Sequence, residues 1–352
     1  MRPPWYSKLF KRTAEKDLLA LRQRAGGDDP EAQYQLALRL SAGHGTAPNH
    51  AEAATWYRQA AEDGHADAQN ALGLCYDEGT GVERDPGEAV LWYRKAAEQG
   101  HAMAQNNLGL SYRKGDGVPK DLEAAVRWFR LAAEQSYPDA EYSLGMAYSR
   151  GEGLIQDSAR AVKWLYKAAE QGEVSAMHRL ARELHKKAET KTAFRETARW
   201  YRAAADQGQL DAMFYLAQLY TEGHGVAENF VEAANWLHKA AEQDHAQSQF
   251  ALGRLHLAGH GVPPNPTEAS KWFRRAADQG HPPAQLQLGR CYLEGKGGPL
   301  DLTRAYRWFC LAANQGVTEA AIERDKVTGA LTGEQMAEAK KRIAEFTPKK
   351  HG

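Results

Sequence analysis

Residues 65–100 read HADAQNALGLCYDEGTGVERDPGEAVLWYRKAAEQG, and two helices are legible in them. Ala68, Leu72 and Tyr76 recur at i, i+4 and i+8, the spacing of one helical face. Gly73, beside Leu72, removes bulk where a neighbouring helix backbone would approach. Gly79 supplies the left-handed residue that ends a helix, and Gly81 keeps the following loop tight. Asp85 then reads as an N-cap, with Pro86 at the first helical position and Glu88 placed to complete a capping box. Ala89, Trp92, Ala96 and Ala97 put one large ring among small residues, and Gly100 closes the second helix. No segment alternates as a strand does, so the unit predicted is a helical hairpin.

The hairpin repeats along the chain. Trp56, Trp92, Trp128, Trp164, Trp200, Trp236, Trp272 and Trp308 are spaced by 36 residues without drift, and leucine recurs from Leu36 to Leu288 in the same phase. The units frame as 29–64, 65–100, 101–136, 137–172, 173–208, 209–244, 245–280 and 281–316. A period in this range marks a solenoid, because a lone hairpin cannot bury its apolar face and neighbours must cover each other. The fold class expected is all-α: a right-handed α/α superhelix of eight 36-residue hairpins plus terminal capping helices. The eight tryptophans are read as structural core. Burying one indole removes about 150–250 Å² from water, an upper bound of roughly 4–6 kcal/mol. Loss of the ring at Trp164, mid-row, is expected to cost about 3–5 kcal/mol.

The stretch 67–109, DAQNALGLCYDEGTGVERDPGEAVLWYRKAAEQGHAMAQNNLG, resembles the Sel-1-like repeat, a relative of the tetratricopeptide repeat. The resemblance covers residues 29–316. It rests on A-x-x-x-L-G-x-x-Y-x-x-G-x-G-V, then D, then A-x-x-W-Y-x-x-A-A-E-x-G. It implies an adaptor or scaffold of the kind used in signalling, quality control and host–microbe contact, usually without catalysis of its own. It names no partner.

Composition narrows the remaining classes. The 352 residues carry 45 Lys+Arg and 45 Asp+Glu, so no basic excess supports nucleic-acid binding. Three cysteines make no disulfide scaffold, and an odd count suits a reducing compartment. A mean hydropathy of −0.66 and no apolar run near 18 residues predict a soluble, cytoplasmic chain. Residues 1–27 hold seven basic and two acidic side chains, without the apolar stretch of a secretory signal. Trp5, Leu9, Phe10, Leu18, Leu19 and Leu21 lie among those charges. Residues 1–28 read first as a basic segment with a cap helix for repeat 1, and second as a surface for a membrane or a partner. Residues 317–352 read as C-terminal capping helices, with Thr332 as an N-cap and Gln335 three positions on, and a frayed tail from 347.

A ligand surface follows from a helical wheel. If Leu72 and Tyr76 face the core, phases 67, 70, 74 and 77 of each first helix point away from it, onto the concave side of a tetratricopeptide-like superhelix. Along phases 70, 74 and 77 this selects Tyr142, His178, Arg182, His185, Phe214, Gln218, Phe250, Arg254 and Arg290. Rings beside arginine are enriched in binding hot spots. The expectation is a protein or peptide partner, with an acidic segment or terminal carboxylate gripped in the C-terminal half. The competing reading has the arginine stems merely covering apolar surface. Repeat 5 departs from the pattern: Lys187 and Glu189 replace the loop glycines and Ala193 the Asn/Asp cap. That marks either a hinge or recognition centre, or loop drift.

Chemistry is sparse. His178 and His185 lie about 10.5 Å apart along a helix, too far to share an ion. His44, His224 and His260 recur in Gly-His-Gly loops, and His65, His101, His245 and His281 open repeats. No metal site, cofactor or catalytic residue is expected, and Cys75, Cys291 and Cys310 read as buried thiols. The alternatives to a scaffold are a single-stranded RNA-binding repeat protein, which rings and Arg in a groove would suit, and an enzyme with an unrecognised site. Residues 28–316 carry 31 basic against 37 acidic side chains, which opposes the electrostatic term of RNA binding.

Overall fold

The computed structural model describes residues 17–44 and 46–349, so Trp5, Leu9 and Phe10 lie outside the described residues. Everything described is helix or connecting turn. The chain falls into two compact units divided between Ala176 and Met177, inside repeat 5. In the first unit, α1 (residues 17–25) precedes the pairs α2 (Pro30–Ala42) with α3 (His50–Glu62) and α4 (Ala66–Glu78) with α5 (Pro86–Glu98). The pairs α6 (Ala102–Lys114) with α7 (Leu122–Glu134) and α8 (Pro138–Arg150) with α9 (Ser158–Glu170) follow. Helix α10 (Val174–His185) contains the division. The second unit continues with α11 (Lys191–Asp206), then α12 (Leu210–Glu222) with α13 (Phe230–Glu242) and α14 (Ala246–Ala258) with α15 (Pro266–Asp278). It ends with α16 (Pro282–Glu294), α17 (Leu302–Asn314), α18 (Thr318–Thr328) and α19 (Gly333–Ala344). Each unit is an α-solenoid of helical hairpins.

In every hairpin the residue after the tryptophan is buried, and more deeply than the tryptophan itself. Tyr93, Phe129, Leu165, Tyr201, Phe273 and Phe309 are all almost completely buried. In five repeats this residue lies over the first-helix glycine: a Cβ built on Gly253 would meet the Phe273 ring at 2.6 Å, and one on Gly109 the Phe129 ring at 2.6 Å. The small residue thus receives a side chain as well as a backbone. Trp92, Trp200, Trp236, Trp272 and Trp308 are buried, but Trp56, Trp128 and Trp164 are only half-buried. The expectation that every ruler indole is core is corrected at those three. One helical step separates the two aromatic positions, and only the second points straight between the helices of its own hairpin. The indoles take the flank, where lysine often covers them, with Lys95 3.7 Å above Trp92 and Lys167 4.4 Å above Trp164.

The turn between helices is set by backbone as much as by caps. Asp85 accepts from the amides of Gly87 and Glu88, as expected of an N-cap. The reciprocal half of the capping box is not formed, because the Asp85 N–H already donates to the Tyr76 carbonyl at 2.9 Å. The same loop-closing bond recurs in every repeat but the fifth, for example Asn229 to Tyr220 and Asp301 to Tyr292. The second loop glycine abuts the preceding repeat: a Cβ on Gly117 would stand 2.0 Å from the Pro86 carbonyl oxygen. Repeat 5 has neither device. Its N-cap moves three residues upstream of Ala193, to Thr190, and α11 grows to 16 residues where the other second helices have 13.

In five repeats a buried glutamine joins the hairpin to the helix before it. Gln69 donates to the Ala61 carbonyl at 3.0 Å and accepts from Gln99 at 2.7 Å, so one amide ties its own hairpin to the preceding one. Gln105, Gln249 and Gln285 do the same. Gln33 donates to the Ala25 carbonyl, so α1 occupies the place that a preceding second helix holds elsewhere. In repeat 4 the position is Glu141, a buried carboxyl that accepts from Gln171 at 2.7 Å. Burial raises its pKa above the ordinary carboxylate value, against the opposing pull of Lys167. At the other end α19 is capped by Thr332 with Gln335 completing a formed capping box. Residues 347–349 are not frayed as expected: the Lys349 amide donates to the Asp278 carbonyl at 3.0 Å.

Candidate functional site

A first helix packs on two second helices, its own and that of the preceding repeat, and makes a second, slighter kind of contact with the first helix of the next repeat. A wheel with a single core direction overlooks the second contact, and phase 70 falls there. Asn70 accepts from Asn107 at 3.1 Å, Asn106 accepts from Ser143 at 3.3 Å, and both asparagines are buried. His178 is likewise buried between Tyr201 and Tyr215, with ring centroids 6.2 and 6.1 Å away. His185 packs edge-on against Phe194 and Tyr201, inside its hairpin. These two histidines are corrected from ligand surface to packing. Tyr142, Phe214 and Phe250 at the same phase are half-buried. The rings of Phe214 and Phe250 sit 6.0 and 5.1 Å from His245 and His281, the N-cap residues of the following helices.

Phase 74 is the more open row. Arg182 lies 5.9 Å from the Tyr215 ring centroid, Gln218 is half-buried, and Arg254 is exposed with no ion pair among the described residues. Arg290 is already engaged: its guanidinium is 2.5 Å from Glu319 and 3.5 Å from Glu323, both on α18. The grip expected of Arg290 on an external carboxylate is therefore corrected. The capping helix, whose placement the sequence reading did not resolve, supplies that carboxylate itself.

Four of the selected residues converge on one cleft in the second unit. Phe214, Gln218, Phe250 and Arg254 line a space of about 490 Å³ between α12 and α14. Ala217, Leu237 and Leu255 form its floor, and Thr221, Phe230 and His260 reach its edge. The sequence reading missed Leu237, Leu255, Phe230 and His260. Leu237 had a signal: it stands where six other repeats carry Tyr or Phe from the second helix, and the smaller side chain leaves room. Glu222, the acid at the cleft, pairs with His224 at 3.0 Å.

Histidines at the repeat junctions bind two ways. His65 accepts from the Ala68 amide through Nδ1 and contacts Glu31 of the preceding repeat through Nε2 at 2.9 Å; His101 repeats this with Asp67. His281 keeps the cap, accepting from Ala284, but position 247 is Gln and offers no carboxylate. Burial accordingly lowers the pKa of His281, as it does for His178 and His185. The folded chain prefers these rings neutral. Their stabilisation is full above their ordinary value near 6.5 and lost as pH falls below it toward the depressed values. His281→Asn keeps an N-cap acceptor without a titrating ring. It is expected to narrow the drop in Tm between pH 7.5 and pH 5.0; an unchanged drop would exclude His281 as a contributor.

Reactive groups are few. All three cysteines are buried, and burial pushes Cys75 and Cys291 up to about 11. Among the described residues no cluster of three His, Cys, Asp or Glu side chains could hold a metal ion, and no helix is long and apolar enough to cross a membrane.

The Sel1 repeat family model matches residues 30–65, 66–101, 102–137, 138–173, 174–209, 210–245, 246–281 and 282–317. The chain belongs to the Sel1 repeat family. The matched Sel1 units begin one residue later than the frame read from the tryptophans. A Sel1 repeat protein from Oxalobacter formigenes is 32% identical over 88% of this chain and 89% of its own, with a TM-score of 0.66. The c5321 protein, a protective antigen of uropathogenic Escherichia coli strains with the same repeat fold, is 30% identical over 94% of both chains, with a TM-score of 0.46. No curated protein matches the chain.

Proposed function

We propose that this Sel1 repeat chain is a non-catalytic scaffold that holds a protein partner on the face of its first helices. The observation that carries this is the cleft between α12 and α14, where an apolar floor lies open beneath polar edges. Small, largely preformed concavities with an apolar lining are where segments of partners lodge. Burial holds the Cys75 and Cys291 thiols in their protonated form at neutral pH, which supports a binding role over nucleophilic chemistry. A cytoplasmic location belongs to the same proposal.

The test is affinity capture from native lysate with the full chain and with three versions of the first-helix face: Leu38→Glu at the exposed phase-74 leucine of repeat 1, Gln218→Glu and Arg254→Glu. At least one protein is expected to be retained by the wild-type chain and lost from a face variant whose melt is unchanged. Partners retained equally by every variant would move the working surface elsewhere. A retained fraction dominated by RNA, read from its 260/280 nm ratio, would favour the nucleic-acid alternative.

A further inference from the structure

The arginine row in the second unit contains its own comparison. Arg290 finds Glu319 and Glu323, which stand 29 and 33 residues further along, on the next first helix in line. At the same offsets from Arg182 stand Asp211 and Tyr215. Tyr215 lies under the Arg182 guanidinium, and the Asp211 carboxyl, held low first by its hydrogen bond with His245, is also lowered by Arg182. At the same offsets from Arg254 stand Pro283 and Gln287. Arg254 is thus the one arginine of this row to which the following repeat supplies neither a carboxylate nor a ring, and it is exposed at the edge of the apolar cleft. The Glu222 carboxylate at that cleft is engaged by His224 rather than by Arg254.

We propose that Arg254 and the α12/α14 cleft together take a partner segment in which an Asp or Glu side chain accompanies an aromatic or large aliphatic one. The carboxylate bonds the Arg254 guanidinium in the role that Glu319 plays for Arg290. The apolar side chain enters between Phe214 and Phe250, over Leu237. The charge complement is specific: a basic segment would meet Arg254 unfavourably, and a purely apolar one would leave the guanidinium unpaired at the edge of a newly dried surface. A planar five-donor fork suits a carboxylate better than a single point charge does. This inference rests on the scaffold reading and narrows it to one cleft and one chemistry.

The experiment is selection of a random twelve-residue peptide library on the full chain, with peptides displayed by their C-terminal end so that no free C-terminal carboxylate is presented. Wild-type selections are expected to enrich Asp or Glu near an aromatic or large aliphatic residue. Arg254→Ala should weaken binding of the enriched peptides by roughly tenfold, the loss of about one charge-assisted hydrogen bond. Arg254→Glu should turn the enrichment toward Lys and Arg. Ala251 also lines the cleft, so Ala251→Trp, which fills it, should remove the aromatic preference; its melt is checked against wild type. Identical enriched pools on wild type and Arg254→Glu, or enrichment of basic peptides on wild type, would overturn the proposal. Peptides that bind but respond only to Leu38→Glu would overturn this site and leave the scaffold reading standing. Absence of any enriched peptide overturns the cleft as a peptide site, and joined to an empty lysate capture it would remove the scaffold reading as well.

Discussion

Phe273→Ala is expected to cost about 3–5 kcal/mol and to lower Tm more than loss of the half-buried ruler tryptophan Trp164. The Phe273 ring is fully buried, lies over Gly253 and stands 5.8 Å from the Phe250 ring. Its removal leaves a cavity bounded by two helix backbones that cannot close without moving the hairpin. Trp164 is partly exposed and covered on one face by Lys167, so Trp164→Ala loses less apolar burial and opens to solvent rather than to a void. A double-mutant cycle identifies the partner. Gly253→Ala alone sets a Cβ 2.6 Å from the ring and is expected to cost about 1–3 kcal/mol. In the Phe273→Ala background the same methyl enters the vacated space, and the cost should vanish or reverse. Additive costs, measured by denaturant titration, would show that the ring is not seated on Gly253.

Glu141→Gln is the second large effect, and it is a gain. In five other repeats this position is a glutamine whose NH₂ donates to a carbonyl eight residues back, as Gln105 does to the Ala97 carbonyl at 3.1 Å, while repeats 5 and 6 carry Met177 and Met213. An ionised Glu141 can accept from Gln171 but cannot donate toward the equivalent carbonyl of Ala133. It also bears a charge in a buried place. The amide is expected to stabilise the chain by about 1–3 kcal/mol at neutral pH. The sign with pH follows from the raised pKa of Glu141. A folded-state pKa above the unfolded one means that the carboxyl's contribution is fullest below its ordinary value near 4.5 and is lost as pH rises through the raised value. The advantage of Gln over Glu should therefore be small near pH 4 and full by pH 8. Equal gains at both ends, read by urea titration, would mean that Glu141 is already neutral or already paired.

The 36-residue period, the helix ends and the family were legible in the residues because they are local. Glycines, caps and the i, i+4, i+8 spacing of one helical face act within one or two turns, and the same pattern written eight times leaves little room for another fold. Repeat 5 was legible as an exception for the same reason, although the shift of its cap to Thr190 depended on which nearby hydroxyl the longer helix could reach. The face proposed for a partner was only half legible. Arg254 at phase 74 lies open as the wheel predicts, whereas phase 70 turned inward at His178 because helices from successive repeats lie side by side.

The amino-acid order by itself determined a row of helical hairpins, the ends of each helix and the positions able to carry function, since these follow from backbone geometry and apolar spacing along one chain. Only the tertiary structure decided which of those positions stay free. The indole row gave up the deeper place to its neighbour, Arg290 was claimed by Glu319, and Arg254 was left open above the cleft. Whether a side chain is satisfied depends on residues about one repeat away that share its surface only after the hairpins stack.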